Sequence, residues 1–419
     1  MNGQTPTRFW DSILAGLSEE AVPDPKATRA LCPAADDIIP VIPHFPVVFF
    51  IFSGYTVVGV CFMINSITLD NFRGLRHLEL PDLPRLTLLT GMNNAGKSSV
   101  LEGIFLYLDH GSPDCFHKLY RMRGMHSSNL NQIWGSAFFQ MDTSIPILIA
   151  AKEGTEQFRL RFSRTDSDAS VGFLQTPAPG FPVFSGEQDR YSIQYAFHGE
   201  SYTEDGLFFR SSGNSVQRSC KTNLDQNRLR QMTHCLYVSS MTAAMDNDAA
   251  LSEWYGNMLF QGKKQGVLKA LRIIEPGISE ITTIVRQEQP QLFLEIDHTL
   301  VPLKMAGEGV VRMLYIILGI MNFRGAVILL DEITTGIHYS VLPKFWEKVA
   351  VAAGEYDSQI IATTHSYECI EAAVEGVENA GMMDDFCLYR IERAEDGTRP
   401  VQYSGSLLRT AVNGYMEVR

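Results

Sequence analysis

The chain has 419 residues, 45% of them hydrophobic and 20% charged, so it reads as an ordinary soluble globular protein with core enough for one large or two ordinary domains. Its formal net charge of −12 excludes wholesale coating of nucleic acid and leaves room only for a local basic groove. The scattered cysteines (Cys32, Cys61, Cys115, Cys220, Cys235, Cys369, Cys387) form no C-x-x-C pair, which points away from a disulfide framework or a zinc site and toward a reducing, cytoplasmic setting.

Residues 1–62 do not resemble the rest. From Ile38 to Leu69 there is no Lys, Arg, Asp or Glu, and Val47–Met63 is an apolar run close to the minimum length for crossing a membrane. A signal peptide does not fit, because the run begins far from the start and has neither a basic lead nor a small-residue cleavage site. A membrane anchor is one reading, although Pro43 and Pro46 interrupt its start and no Lys or Arg cluster sets an orientation. The preferred reading is an over-extended start or a weakly ordered extension, with the domain beginning at Met63.

From Met63 the punctuation is regular. Ile64–Asp70 alternates apolar and polar residues as a half-buried strand does, and His77–Leu80 is its hairpin partner after the Arg73-Gly74 turn. Arg85–Thr90 is a further strand that runs straight into Gly91-Met92-Asn93-Asn94-Ala95-Gly96-Lys97-Ser98, and Ser99–Leu108 is apolar at helical spacing. In such a strand, glycine loop and helix, Gly91 and Gly96 let the backbone wrap around phosphates, and the helix start faces the anion. Lys97 offers a charge to the β- and γ-phosphates, and Ser98 a hydroxyl to Mg²⁺.

The middle of the chain is mixed. Ile145–Ala150, Gln157–Phe162, Tyr191–Phe197 and Gly206–Phe209 are expected as antiparallel strands, with a Pro/Gly-rich loop at Thr176–Asp189. Asn223–Met232 and Ser252–Leu271 read as helices, and Ile281–Arg286, Gln291–Ile296 and Thr299–Leu303 as strands. About two hundred residues follow Lys97 without the heptad run a coiled-coil arm needs. Met305-Ala306-Gly307-Glu308-Gly309 then precedes an apolar helix, Val310–Ile320, with Arg312 near its start. Two close glycines ahead of a helix make an anion site on physical grounds.

Ala326–Leu330 is a short, fully apolar strand that ends in Asp331-Glu332. Two acids at the end of a buried strand are costly without a cation or water to serve, so Asp331 is the candidate to hold Mg²⁺ and Glu332 the candidate to polarise the attacking water. Gln359–Thr363 repeats the buried-strand pattern and ends in Thr364-His365-Ser366, which places His365 to sense a γ-phosphate. Phe386–Glu392, a turn at Glu395–Gly397 and a helix near Leu407–Met416 complete the chain.

These three motifs together resemble the ABC-class ATPases related to RecF, SMC and OLD proteins, often labelled AAA-domain proteins, over Met63 to about Arg393. The resemblance implies an α/β P-loop NTPase of the ABC type, with a central mostly parallel sheet, an antiparallel β subdomain and an inserted helical lobe. On that pattern residues 63–145 form the Walker A lobe, 146–300 the β-rich and helical insertion, and 301–419 the lobe with signature, Walker B and switch histidine. It implies ATP and Mg²⁺ as cofactors. Nucleotide would be bound by Gly91, Asn93, Asn94, Ala95, Gly96, Lys97, Ser98 and Ser99, with Glu332 as catalytic acid, a D-loop at Gly336–Ser340 and His365 as the switch. A signature loop would present Gly307 and Gly309 to ATP on a partner protomer, but here Ala306 replaces the usual serine and Glu308 adds a negative charge. The lobe-joining glutamine is Gln132 or Gln140; Gln140 is favoured and would complete the metal set with Ser98 and Asp331.

The resemblance thus implies an ATP-hydrolysing module that dimerises on ATP and serves DNA repair, DNA maintenance or antiphage defence through a separate effector such as a nuclease. The OLD-type nuclease domain is not expected after His365, and no stable membrane association is expected. The alternative is the ATPase subunit of a transporter, which the intact serine it lacks and the Asn71-Phe72-Arg73-Gly74 hairpin speak against.

Overall fold

The computed structural model describes residues 63–109, 115–125, 130–164, 188–197, 200–210, 216–222, 235–239, 248–286, 288–394 and 397–419. The extension before Met63, with nearly all of its apolar run, lies outside them, as do the proposed helix Asn223–Met232 and most of the Pro/Gly-rich loop. Among the described residues no helix is long and apolar enough to cross a membrane.

Alternation produces β1 (Ile64–Phe72), which buries Ile67 and Leu69 and turns into antiparallel β2 (Leu75–Leu80), with Leu69 opposite Leu78. The fully buried β3 (Leu86–Thr90) leads through the glycine loop into α1 (Lys97–Leu108), which begins within the loop motif, ahead of the expected Ser99. α1 is apolar almost all round because it is covered on both sides. After α2 (Cys115–Met122) and α3 (Leu130–Gly135) come β4 (Ile147–Glu153), β5 (Glu156–Arg164), β6 (Gln188–Phe197), β7 (Glu200–Arg210) and β8 (Val216–Thr222). They extend the first hairpin into an antiparallel sheet of order β2-β1-β4-β5-β6-β7-β8. The expected Gly206–Phe209 strand is therefore part of a longer one, and β8 carries too few apolar residues to have announced itself.

β9 (Cys235–Val238) is a strand the sequence reading missed, since four apolar residues show no period. The single helix expected over Ser252–Leu271 is two, α4 (Asp248–Phe260) and α5 (Lys264–Leu271); Gly262, at φ 68°, breaks the chain between them where a side chain would be strained. The antiparallel strands β10 (Ile278–Arg286), β11 (Gln289–Ile296) and β12 (Thr299–Pro302) form a small sheet of their own. Then follow α6 (Glu308–Asn322), β13 (Val327–Leu330), α7 (Leu342–Glu355), β14 (Gln359–Thr363), α8 (Tyr367–Asn379), β15 (Phe386–Ala394), β16 (Gly397–Ser404) and α9 (Gly405–Asn413). Gly397, expected in a turn, opens β16, whose polar alternation hid it.

The central sheet has the order β16-β15-β3-β14-β13-β9, parallel except for the β15–β16 hairpin. α1 lies between the two sheets, against β1 and β4 on one side and β9, β13 and β14 on the other. The fold class is that expected: an α/β fold with a parallel core, an antiparallel β subdomain and a helical insertion of α4 and α5 packed on α6.

Buried polar side chains tie these layers together. Gln359 donates through Nε2 to the Ile64 and Leu83 carbonyls at 2.9 and 3.0 Å, and its Oε1 accepts the Ile64 N–H at 3.0 Å. Glu102, on α1, forms an ion pair with Arg73, whose Nε lies at 2.9 Å, and accepts a hydrogen bond from Arg123 Nε at 2.6 Å. Near the other end of α1 the Tyr107 hydroxyl donates to Glu153 Oε1 at 2.7 Å, while burial pushes the Glu153 carboxyl up to about 7. A carboxyl raised in the native state contributes stability fully below its unfolded value and loses it as pH rises through the folded value. Urea unfolding should thus show stability falling between about pH 4.5 and 7, by on the order of 3 kcal/mol from this group. Glu153→Gln should flatten that part of the profile; an unchanged profile would assign the pH dependence elsewhere.

Candidate functional site

Parallel strands bring their carboxyl ends to one edge of a sheet, and loops from neighbouring strands meet there. β3 and β13 flank β14 in this sheet, so the glycine loop after β3, the acid pair after β13 and His365 after β14 converge, although far apart in sequence.

The loop is built for close approach. Gly91 has φ 132°, and a Cβ there would sit 2.3 Å from the Ile391 carbonyl oxygen. Gly96 has φ 110°, and a Cβ there would strike Leu75 at 2.8 Å. No side chain caps α1 at Gly96, so the first N–H groups of the helix, from Lys97, Ser98 and Ser99, have no intrahelical acceptor. Asn94, at φ 64°, and Ala95, whose N–H donates to the Met92 carbonyl at 3.1 Å, shape the turn; Asn93 and Asn94 are exposed. Lys97 curls back over the loop, its Nζ donating to the Gly91 and Met92 carbonyls at 2.8 and 3.2 Å. Burial lowers its pKa, opposed by the nearby Glu332 and Asp331 carboxylates.

Asp331 is buried, and its Oδ1 accepts from Ser98 Oγ at 2.9 Å and Thr363 Oγ1 at 2.8 Å. A buried carboxylate facing a loop hydroxyl, with a lysine alongside, supplies the hard oxygen donors that suit Mg²⁺. Among the described residues no cluster of three or more His, Cys, Asp or Glu side chains could hold a metal unaided, so the remaining ligands would have to come from phosphate and water. Glu332 follows in left-handed backbone, φ 49°, a conformation that costs a non-glycine residue about 1–3 kcal/mol unless its surroundings impose it. Its Oε2 lies 2.7 Å from His365 Nδ1, and its N–H donates to Thr363 Oγ1 at 2.8 Å. His365 thus meets the acid, and Ser366 caps the following helix by accepting the Cys369 N–H at 3.1 Å.

The glycines ahead of α6 are differently placed. Gly307 has φ 75° and opens the helix, while Gly309 is pressed on the loop after Asp331: a Cβ on Gly309 would lie 2.3 Å from the Gly336 carbonyl oxygen. Met305, at 77% exposed, and Tyr339, at 68%, project from this face. Gln140 sits exposed in a short 3₁₀ turn at φ 53°, with no hydrogen bond to Ser98 or Asp331, and Gln132 is an exposed residue on α3.

Two residues escaped the sequence reading as parts of the site. Thr363 was read only as the last residue of a buried strand. Arg312, noted for its place on α6, is fully buried and donates to the Ser239 carbonyl at 3.1 Å and to the Asp331 carbonyl. Burial brings its pKa down to about 10. A threonine at the end of a buried strand and an arginine on an otherwise apolar helix were the available signals.

Residues 86–371 match the family model described as "AAA domain, putative AbiEii toxin, Type IV TA system". The chain is 22% identical over 369 residues to an ATP/GTP phosphatase of Helicobacter pylori, covering 83% of this chain and 97% of that protein. It is 29% identical over 104 residues to the DNA replication and repair protein RecF of Rickettsia felis, a quarter (25%) of each chain. Among solved structures, an Smc head with an extended coiled coil bound to the C-terminal domain of ScpA, from Pyrococcus furiosus, overlays with TM-score 0.45 at 10% identity, covering 84% of this chain and 99% of that one.

Proposed function

This chain belongs to the AAA-domain family whose model it matches, and on that premise we propose that its site binds ATP with Mg²⁺ and hydrolyses it to ADP and phosphate. The observation that carries the reading is the meeting of Lys97, Ser98 and Asp331 at one sheet edge with Glu332 and His365 beside them. In this reading the loop N–H groups and Lys97 hold the β- and γ-phosphates, and Ser98 and Asp331 hold the metal. Bound Mg²⁺ would neutralise phosphate charge as it develops. Glu332 takes the proton of the attacking water, and His365, hydrogen-bonded to it, fixes the orientation of the carboxylate.

The wider role we propose is an ATP-gated dimer that serves DNA maintenance or defence through a separate effector. A RecF relative and a family description that names a toxin favour it over a transporter subunit. Exposed Met305 and Tyr339, beside the α6 start and the loop after Asp331, provide the apolar surface such a dimer would cover. The purified full chain should release phosphate from ATP in a colorimetric assay and lose that activity when Mg²⁺ is chelated. Turnover unaffected by chelation, or absent with every nucleoside triphosphate, would remove the reading.

A further inference from the structure

The peptide linking Asp331 to Glu332 is held at both of its polar ends. Its carbonyl accepts from Arg312 of α6, and its N–H donates to Thr363 Oγ1 of β14 at 2.8 Å. The same threonine hydroxyl gives its proton to Asp331 Oδ1 at 2.8 Å. A hydroxyl can accept from the peptide and donate to the carboxylate through the same atom, which an isosteric valine cannot. Arg312 is itself fixed by a second bond, to the Ser239 carbonyl at the end of β9. The backbone of α6 is in turn pressed on the following loop where Gly309 meets Gly336.

A gripped peptide plane leaves Glu332 little freedom, and Glu332 has the left-handed backbone that persists only when its surroundings dictate it. We propose that Arg312 and Thr363 are positioning residues that set the aim of the Glu332 carboxylate, with α6 controlling one end of the peptide and β14 the other. Displacement of α6, as when a partner docks on its exposed start, is thereby converted into rotation of the 331–332 peptide and re-aiming of the carboxylate toward or away from the water. The inference rests on the reading of Glu332 as the group that activates water.

The test measures kcat and nucleotide dissociation constants for the full chain carrying Thr363→Val, Thr363→Ser, Arg312→Lys and Glu332→Gln, and for the Thr363→Val/Glu332→Gln double variant. Thr363→Val is isosteric but lacks the hydroxyl, and should lower kcat roughly 10- to 100-fold while nucleotide affinity stays within about threefold. Thr363→Ser should recover most of the rate. Arg312→Lys keeps the charge but loses the fork, and should also act on kcat. The double variant decides between aiming and general packing: once the carboxylate is gone its aim no longer matters, so Thr363→Val should cost nothing further in the Glu332→Gln background. Additive losses in the double variant, a failure of serine to rescue, or an effect confined to affinity would overturn the proposal. Unchanged turnover in Glu332→Gln alone would instead remove the parent reading, and the aiming role with it.

Discussion

Lys97→Ala is expected to lower nucleotide affinity at least about 100-fold in a calorimetric titration, because charge-assisted hydrogen bonds contribute about 1.5–3 kcal/mol each and this lysine is placed to make more than one. The side chain is buried and already folded over the loop, so its ammonium is pre-positioned and little rotamer freedom remains to be lost on binding. Its pKa is lowered by burial, and an incoming phosphate would relieve that cost. Alanine leaves the Gly91 and Met92 carbonyls without this donor but keeps the backbone path, so the melting temperature should move little. Lys97→Arg should not rescue, since a planar fork cannot replace a compact ammonium bent back on its own loop. Wild-type affinity in the alanine variant would mean that nucleotide does not bind here.

Glu332→Gln separates binding from chemistry. The amide can still hydrogen-bond His365 and keeps the side-chain shape, but it cannot take a proton, so turnover should fall by roughly 10²–10⁴-fold while affinity survives. The ATP state should then accumulate, and sedimentation should show an ATP-dependent shift from monomer to dimer if the α6 start completes its site across two copies. Asp331→Asn should behave differently: Ser98 and Thr363 hydroxyls would face an amide in place of a carboxylate, and Mg²⁺-dependent affinity should be lost as well. Undiminished hydrolysis by the glutamine variant would overturn the assignment of Glu332. A trapped protein that stays monomeric would retain the chemistry and remove only the dimer.

The parts of the site legible in the sequence are those whose chemistry is local. A glycine loop between an apolar strand and an apolar helix, or an acid pair ending a buried strand, is written in consecutive residues. Their convergence was legible only through the parallel-sheet rule. The contacts that hold the site were not: Thr363 reaches Asp331 from a neighbouring strand, and Arg312 reaches its carbonyl from a helix that otherwise reads as plain core. Fold elements were missed where the pattern was short or polar, as in β9 and β16. Two helices were merged where Gly262 broke an amphipathic pattern that runs on through it.

Strand order also dictates when the molecule becomes competent during its own synthesis. β3, which carries the glycine loop, pairs on its two sides with β14 and β15, both made long after it. The start of β1 waits as well, because Gln359, 295 positions later, holds Ile64. A nascent chain stalled before Phe386 has one side of β3 bare, and one stalled before Gln359 has both. Pairings this distant in sequence form slowly and late. Ribosome-bound fragments of the chain should therefore remain without a nucleotide pocket until β14 and β15 have been made.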